Sequence, residues 1–227
     1  MGLLQLNWIS VVSGLAAVLV AVFIRLHWPF RFQYMGVLFK RPERIMRLLE
    51  ASYRRNGTRM VAILDKSSRE IMSGNYDGAE HFIAKGLTIC KNTPSLFNQA
   101  MAQYLFCNLS AIYYFRGNYA EALDLAVRVY ERDTSSINAL TVIVCSQARL
   151  GDLQGAIEAY GLLRKKARNE VHLFCQAEIE AAKGNFSTAL AHLHRLTCLR
   201  YFYTMHVGRV ELEKRREEWS KAASHTG

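Results

Sequence analysis

The stretch 105–132 contains two apolar segments separated by a polar turn, which predicts two helices folded back on each other. The turn is Gly117-Asn118-Tyr119. A glycine followed by Asn or Asp, and then by an aromatic residue or leucine, recurs at three other places. The four glycines are separated by 43, 34 and 33 residues, and a period in the mid-thirties is typical of stacked helical hairpins. The turns begin at Gly74, Gly117, Gly151 and Gly184.

Each residue type in these turns has a physical role. Glycine adopts the left-handed backbone conformation that ends the first helix of a hairpin. Asn and Asp favour the cap of the next helix because their side chains bond nearby backbone amides. An alanine follows three residues after the aromatic residue or leucine, and its small side chain lets the two helices approach closely. These alanines are Ala79, Ala122, Ala156 and Ala189.

The turns and their surroundings resemble the tetratricopeptide repeat (TPR), in which Gly-Asp/Asn-Tyr is followed by alanine three residues after the tyrosine. The resemblance covers residues 60–198, although the closing proline and the early tryptophan of the family are absent. It implies an all-α fold, a TPR-like helical-hairpin solenoid of about four hairpins. An unrelated all-helical bundle is the alternative. The second unit matches best, through Phe106, Leu109, Ser110, Tyr113, Gly117, Tyr119, Ala122 and Ala126.

The resemblance also implies an inner surface that is lined by the first helix of each hairpin. The inner-face positions of the family fall here on a mixture of aromatic, amide and charged side chains. Such a mixture suits a peptide or a helix of a partner protein. We therefore expect a protein or peptide partner in the TPR groove. The positions are Tyr104, Asn108, Tyr114, Asn138, Thr141, Arg149, Phe174 and Glu178.

The stretch 3–24 contains no charged residue, which predicts a single transmembrane helix at the amino terminus. As an α-helix, these 22 residues span about 33 Å, enough to cross the hydrocarbon core of a bilayer. A cleaved signal peptide is disfavoured because no basic residue precedes Arg25 and no small-residue cleavage site follows it. A buried core helix is another alternative, but such a helix normally shows a polar face. Residues 1–26 are therefore predicted to be an uncleaved transmembrane anchor.

Basic residues dominate the segment that follows the anchor. Nine Lys and Arg residues lie from Arg25 to Arg59, against only Glu43 and Glu50. A basic flank keeps its side of a membrane helix in the cytoplasm. The predicted topology is a single-pass membrane protein with its amino terminus outside and its repeats in the cytoplasm.

Residues 27–59 are interpreted as a basic juxtamembrane segment that lies at the membrane interface. Aromatic residues suit the headgroup layer, and basic residues near an anionic surface contribute roughly 1 kcal/mol each. The alternative is that the charges only set the topology. Nucleic-acid binding is disfavoured beside a membrane anchor. The predicted headgroup contacts are Trp28, Arg31, Lys40, Arg41 and Arg44.

Two other segments lie outside the repeat pattern. Residues 92–95 account for the longer spacing between the first two turns, and they predict either a loop or an extension of the next helix. Residues 199–227 predict a capping helix and a tail, because repeat arrays usually end in a helix with one polar face. The charged run within 210–223 is expected to face water.

No catalytic or metal-binding spacing occurs in the sequence. The phosphate-binding loop, the dinucleotide-binding glycine motif, HExxH and GxSxG are all absent. His192 and His194 are two residues apart, so they diverge on a helix. The five cysteines are widely spaced and form no CxxC pair, which is typical of reduced core cysteines. We expect no enzyme activity, no cofactor and no metal.

Together these observations predict a membrane-anchored TPR scaffold or adaptor, which binds a protein partner at the cytoplasmic face of a membrane without catalysis. Two alternatives stay open. One is a structural subunit of a larger membrane protein complex, and the other is a regulator of a membrane enzyme.

Overall fold

The computed structural model describes residues 8–27, 42–167, 169–198 and 207–226. Within these ranges the chain forms eleven α-helices and no β-strand, which confirms the predicted all-α fold. The helices are α1 (Trp8–His27), α2 (Pro42–Asn56), α3 (Met60–Met72), α4 (Tyr76–Asn92), α5 (Leu96–Phe115), α6 (Tyr119–Arg132), α7 (Ile137–Arg149), α8 (Leu153–Arg164), α9 (Asn169–Ala182), α10 (Phe186–Cys198) and α11 (Arg209–Thr226).

Eight of these helices form four hairpins, each joined at one of the predicted turns. Helix α3 pairs with α4, α5 with α6, α7 with α8, and α9 with α10. The first helices α3, α5, α7 and α9 also pack against the first helices of the neighbouring hairpins. One hydrophobic core runs through all four hairpins. The structure therefore contains stacked helical hairpins over the predicted range 60–198.

The glycine turns have the backbone conformation that their sequence predicts. All four turn glycines have a positive φ, and that of Gly117 is 86°. The Gly117 amide donates to the Tyr114 carbonyl at 3.1 Å, and the Asn118 amide donates to the Tyr113 carbonyl at 2.9 Å. This pair of hydrogen bonds satisfies carbonyl groups at the end of α5 and closes the helix.

Polar caps and small side chains hold the second helix of each hairpin in place. Asn75 accepts a hydrogen bond from the Gly78 amide at 3.1 Å, and Asp152 accepts one from the Gly155 amide at 2.9 Å. Asn118 precedes α6 but makes no side-chain cap. The alanines that follow the turns are fully buried, as the close approach of two helices requires. They are Ala79, Ala122, Ala156 and Ala189.

The longer spacing between the first two turns comes mainly from longer helices, which a short loop connects. Helices α4 and α5 have 17 and 20 residues, whereas α7 and α8 have 13 and 12. The connection is the short segment 93–95. Ser95 caps α5 by accepting a hydrogen bond from the Asn98 amide at 3.1 Å. Residues 93–95 therefore form the predicted loop, and the additional length of this repeat lies in the two helices that flank it.

Helix α2 packs on α3 and extends the array on its amino-terminal side. Leu49 is fully buried, and Oε2 of Glu50 lies 2.7 Å from Nζ of Lys66 in α3. Helix α2 lies within the predicted juxtamembrane segment 27–59. Part of that segment therefore belongs to the packed helices.

Helix α1 packs closely against none of the other described helices. Its side chains are described over 11–22 and are exposed, with Val12, Leu15 and Val18 61–64% accessible. Within the described residues, no helix combines the length and the apolar character that crossing a membrane requires. The predicted transmembrane helix over 3–24 gains no support from the structure and stays a prediction.

Two glycine-to-alanine substitutions separate backbone conformation from packing. A Cβ at Gly117 or at Gly161 meets no atom within 4 Å, but of the two only Gly117 has a positive φ. We expect Gly117→Ala to lower the free energy of unfolding by about 1 kcal/mol, because L-residues are strained in the left-handed region. Gly161→Ala lies inside α8 and should raise it by about 0.5–1 kcal/mol.

Urea denaturation followed by circular dichroism measures both changes. A loss of similar size for both variants would contradict the role assigned to the turn glycine.

Candidate functional site

Helix α11 lies across the array near the hairpin turns. Gly208, just before α11, is so close to the first turn that a Cβ there would lie 1.9 Å from the Met72 carbonyl oxygen. The Tyr76 hydroxyl, at the start of α4, donates to Oε1 of Glu211 at 2.7 Å. Helix α11 also packs along α10. It therefore contacts both the first and the last hairpin.

A buried carboxylate, Glu178, lies at the centre of the contact between α11 and the array. Glu178 belongs to α9 and is fully buried. Arg149, the last residue of α7, donates from Nε to Oε2 of Glu178 at 2.6 Å. Arg215 of α11 donates from Nε to Oε1. Charge-assisted hydrogen bonds of this kind are stronger than neutral ones, so this carboxylate joins α7, α9 and α11.

Aromatic rings surround the two arginines. The guanidinium carbon of Arg215 lies 5.2 Å from the centre of the Tyr114 ring, and that of Arg149 lies 5.7 Å from the Trp219 ring. Such cation–π contacts contribute about 0.5–2 kcal/mol each. Both Tyr114 and Trp219 are buried. The rings therefore exclude water from the ion pairs and strengthen them electrostatically.

Two more carboxylates of α11 complete the network. Arg215 donates from Nη1 to Oε2 of the buried Glu211 at 3.1 Å. Arg149 donates from Nη1 to Glu218 at the exposed edge of the contact. Along α11 the order of these side chains is Glu211, Arg215 and Glu218. In the array they face the Tyr76 hydroxyl, the Glu178 carboxylate and the Arg149 guanidinium, respectively.

The surroundings of these groups decide their charges. Burial raises the pKa of Glu178, but Arg215 and Arg149 outweigh burial and hold that pKa below its usual value. Burial and the nearby Glu211 raise the pKa of Tyr76, so its hydroxyl stays protonated and donates. At neutral pH the site therefore contains an ionised glutamate between two arginines.

Three of the eight predicted inner-face residues meet at this site. Tyr114, Arg149 and Glu178 lie at or near the carboxyl ends of successive first helices. All three contact side chains of α11. The stacking of the hairpins places them in one row, and α11 covers that row.

The other five predicted inner-face residues are buried or half-buried in the array. Asn108 donates from its side-chain amide to Ser67 Oγ at 3.0 Å, which links α5 to α3. Contact of all eight residues with a separate partner stays a prediction. The five are Asn108, Thr141 and Phe174, which are buried, and Tyr104 and Asn138, which are half-buried.

The prediction that the charged run of α11 faces water is wrong for Glu211 and Arg215. Arg215 is only 3% exposed, because Glu178 provides the opposite charge that a buried arginine requires. Sequence reasoning also missed Trp219, which is 1% exposed. Residues four apart lie on the same face of a helix. The spacing of Arg215 and Trp219 is the signal that marks the buried face.

The predicted headgroup contacts lie outside the side chains that the structure describes. Four of them lie outside the described residues, and the side chain of the fifth is not described although its backbone lies in α2. In the described part of the chain, no three His, Cys, Asp or Glu side chains are grouped to hold a metal ion. The headgroup residues are Trp28, Arg31, Lys40 and Arg41, followed by Arg44.

Two neighbouring arginines of α11 provide a matched test of the buried network. Arg215 is buried and Arg216 is exposed. Arg215→Ala should lower the free energy of local opening of α11 by about 3 kcal/mol, because it removes one partner of a buried ion pair. Arg216→Ala should change it by less than about 0.5 kcal/mol.

Amide hydrogen exchange over 209–226 measures this opening. The expected result is roughly a hundredfold loss of protection in Arg215→Ala alone. Equal protection in the two variants would show that the ion pairs do not hold α11.

No family model, no curated protein and no solved structure matches the chain. The functional argument therefore rests on the residues and contacts described above. The two features that carry it are the stacked hairpins and the helix-binding surface at their ends.

Proposed function

We propose that the chain is a membrane-anchored scaffold of the TPR type, which holds a protein partner at the cytoplasmic face of a membrane and does not catalyse a reaction. The observation that carries the proposal is the surface under α11. There, stacked hairpins align Tyr114, Arg149 and Glu178 so that they bind a helix through several contacts at once. An array that binds one helix in this way suits the recognition of polypeptides.

The membrane half of the proposal is supported by the amino-terminal sequence. The stretch 3–24 has no charge, and the apolar side chains described in α1 lie exposed instead of packing on the array. Burial of apolar surface is favourable by roughly 25 cal/mol per Å². A bilayer is the environment that would cover such a helix.

The basic residues of α2 support the proposed orientation. Leu49 attaches one face of α2 to the array, and the side chains of Arg47 and Arg55 in α2 and of Arg59 just after it are exposed. Exposed arginines close to a membrane anchor favour the cytoplasmic leaflet, which is anionic. Contact of Trp28, Arg31, Lys40, Arg41 and Arg44 with headgroups extends the same argument.

A second candidate is a structural subunit of a larger membrane complex whose inner surface is permanently filled. The burial of Arg215 and Trp219 favours it, because α11 already covers three of the predicted inner-face residues. Pull-down from detergent at low and high salt separates the two functions. We expect a scaffold to release its partner at high salt. A partner that stays bound in constant stoichiometry at both salt concentrations would favour the structural subunit.

Substitutions in α1 test the membrane anchor. The wild-type chain should stay with the membranes during an alkaline carbonate wash. Leu15→Arg combined with Leu19→Arg should release it, because each charge at the centre of a membrane helix costs about 2.5–3.5 kcal/mol. Arginine stays protonated in carbonate buffer.

The matched control is Leu15→Ala combined with Leu19→Ala, which keeps the segment uncharged and should stay with the membranes. Release of the wild-type chain by carbonate would remove the anchor from the proposal.

A further inference from the structure

We infer that the surface under α11 recognises a partner helix with the same polar order as α11, and that α11 occupies this surface until such a helix displaces it. The order is Glu, then Arg four residues later, then Glu and Trp at the seventh and eighth positions after the first Glu, as in Glu211, Arg215, Glu218 and Trp219. The inference rests on the proposed function, because it specifies which polypeptide the scaffold holds.

Charge complementarity defines the recognised order. Glu211 accepts from the Tyr76 hydroxyl at 2.7 Å, and Arg215 donates to Glu178. Glu218 accepts from Arg149. A helix with the opposite charges, Arg, Glu and Arg, would place like charges against Glu178 and Arg149, and such contacts reject wrong partners. The surface therefore discriminates between helices by their charges.

A single large side chain anchors the helix. Trp219 is the largest fully buried side chain of the described residues, and Leu212 is the other buried apolar residue within α11. Tryptophan and arginine are the residue types that most often dominate binding energies at protein interfaces. The recognised helix therefore needs both the arginine and the tryptophan.

The contact is suited to exchange because few side chains hold α11. Buried ion pairs contribute little net stability, since the cost of desolvation offsets much of their attraction. The covalent link instead gives α11 a high effective concentration at the surface, of the order of millimolar. A partner helix with more apolar contacts than Leu212 and Trp219 can overcome that advantage.

Gly208 offers a way to release α11 without changing the surface beneath it. Any side chain at this position would clash with the backbone of Met72, since a Cβ would lie 1.9 Å from its carbonyl oxygen. Gly208→Val should therefore displace the start of α11 and expose Tyr114, Arg149 and Glu178. Gly161→Ala is the matched control, because a Cβ at Gly161 meets no atom within 4 Å.

The test uses the full-length chain in detergent and a fluorescent synthetic peptide of residues 207–226. Fluorescence anisotropy should give a Kd at least tenfold lower for Gly208→Val than for the wild type and for Gly161→Ala. A peptide with Arg215→Ala and Trp219→Ala should bind Gly208→Val at least tenfold more weakly. Arg215→Glu in the full-length chain, which repels Glu178, is a second releasing variant and should also bind the wild-type peptide.

Circular dichroism shows whether Gly208→Val or Arg215→Glu has lost its fold. If one of them has, the peptide binding of the other one tests the inference. Folded releasing variants that bind the peptide no more tightly than the wild type would overturn the inference. Equal binding of the wild-type and substituted peptides to Gly208→Val would also overturn it. A releasing variant that forms dimers and binds no added peptide would make a second copy the occupant, and this too would overturn it.

One further measurement separates this inference from the proposed function. An excess of the 207–226 peptide should displace the partner from the wild-type chain in the pull-down. A partner that is retained under these conditions binds elsewhere, so the inference fails and the scaffold function stands. The absence of any co-purifying polypeptide, together with tight peptide binding, would instead overturn the scaffold function.

Discussion

The burial of Glu178 is the constraint on which the carboxy-terminal half of the structure depends. A carboxylate without water or a cation costs several kcal/mol to bury. Arg149 and Arg215 meet this requirement, one from a neighbouring hairpin and one from α11. The position of α11 is therefore coupled to the stacking of α7 on α9. A change in either contact removes one of the two cations that face the buried Glu178.

The repeated turns make this arrangement possible. Each glycine with positive φ ends a first helix at the same place relative to its hairpin. Because the hairpins stack, the carboxyl ends of α5, α7 and α9 lie in a row and present Tyr114, Arg149 and Glu178 together. A solenoid thus turns residues that are about thirty positions apart in sequence into one surface.

The proposed anchor and helix α11, which covers the proposed recognition surface, lie at opposite ends of the chain. Helix α2 attaches to the array through Leu49 and the Glu50–Lys66 ion pair, and it follows α1 after a short segment. A scaffold with this order would hold its recognition surface close to a membrane. Regulation by α11 would then make partner binding depend on competition between two helices for the same charged and aromatic groups.

Local signals in the sequence determined the helical class, the four turns and the buried alanines, because backbone conformation at glycine and the volume of alanine act over a few residues. These signals did not decide whether 92–95 is a loop or a helix extension. They also predicted, wrongly for Glu211 and Arg215, that the charged run of α11 faces water. Only the tertiary structure decided that Arg215 and Trp219 are buried. The reason is that their partners, Glu178 and Arg149, lie on other helices, and a charge can be buried only where folding brings its opposite.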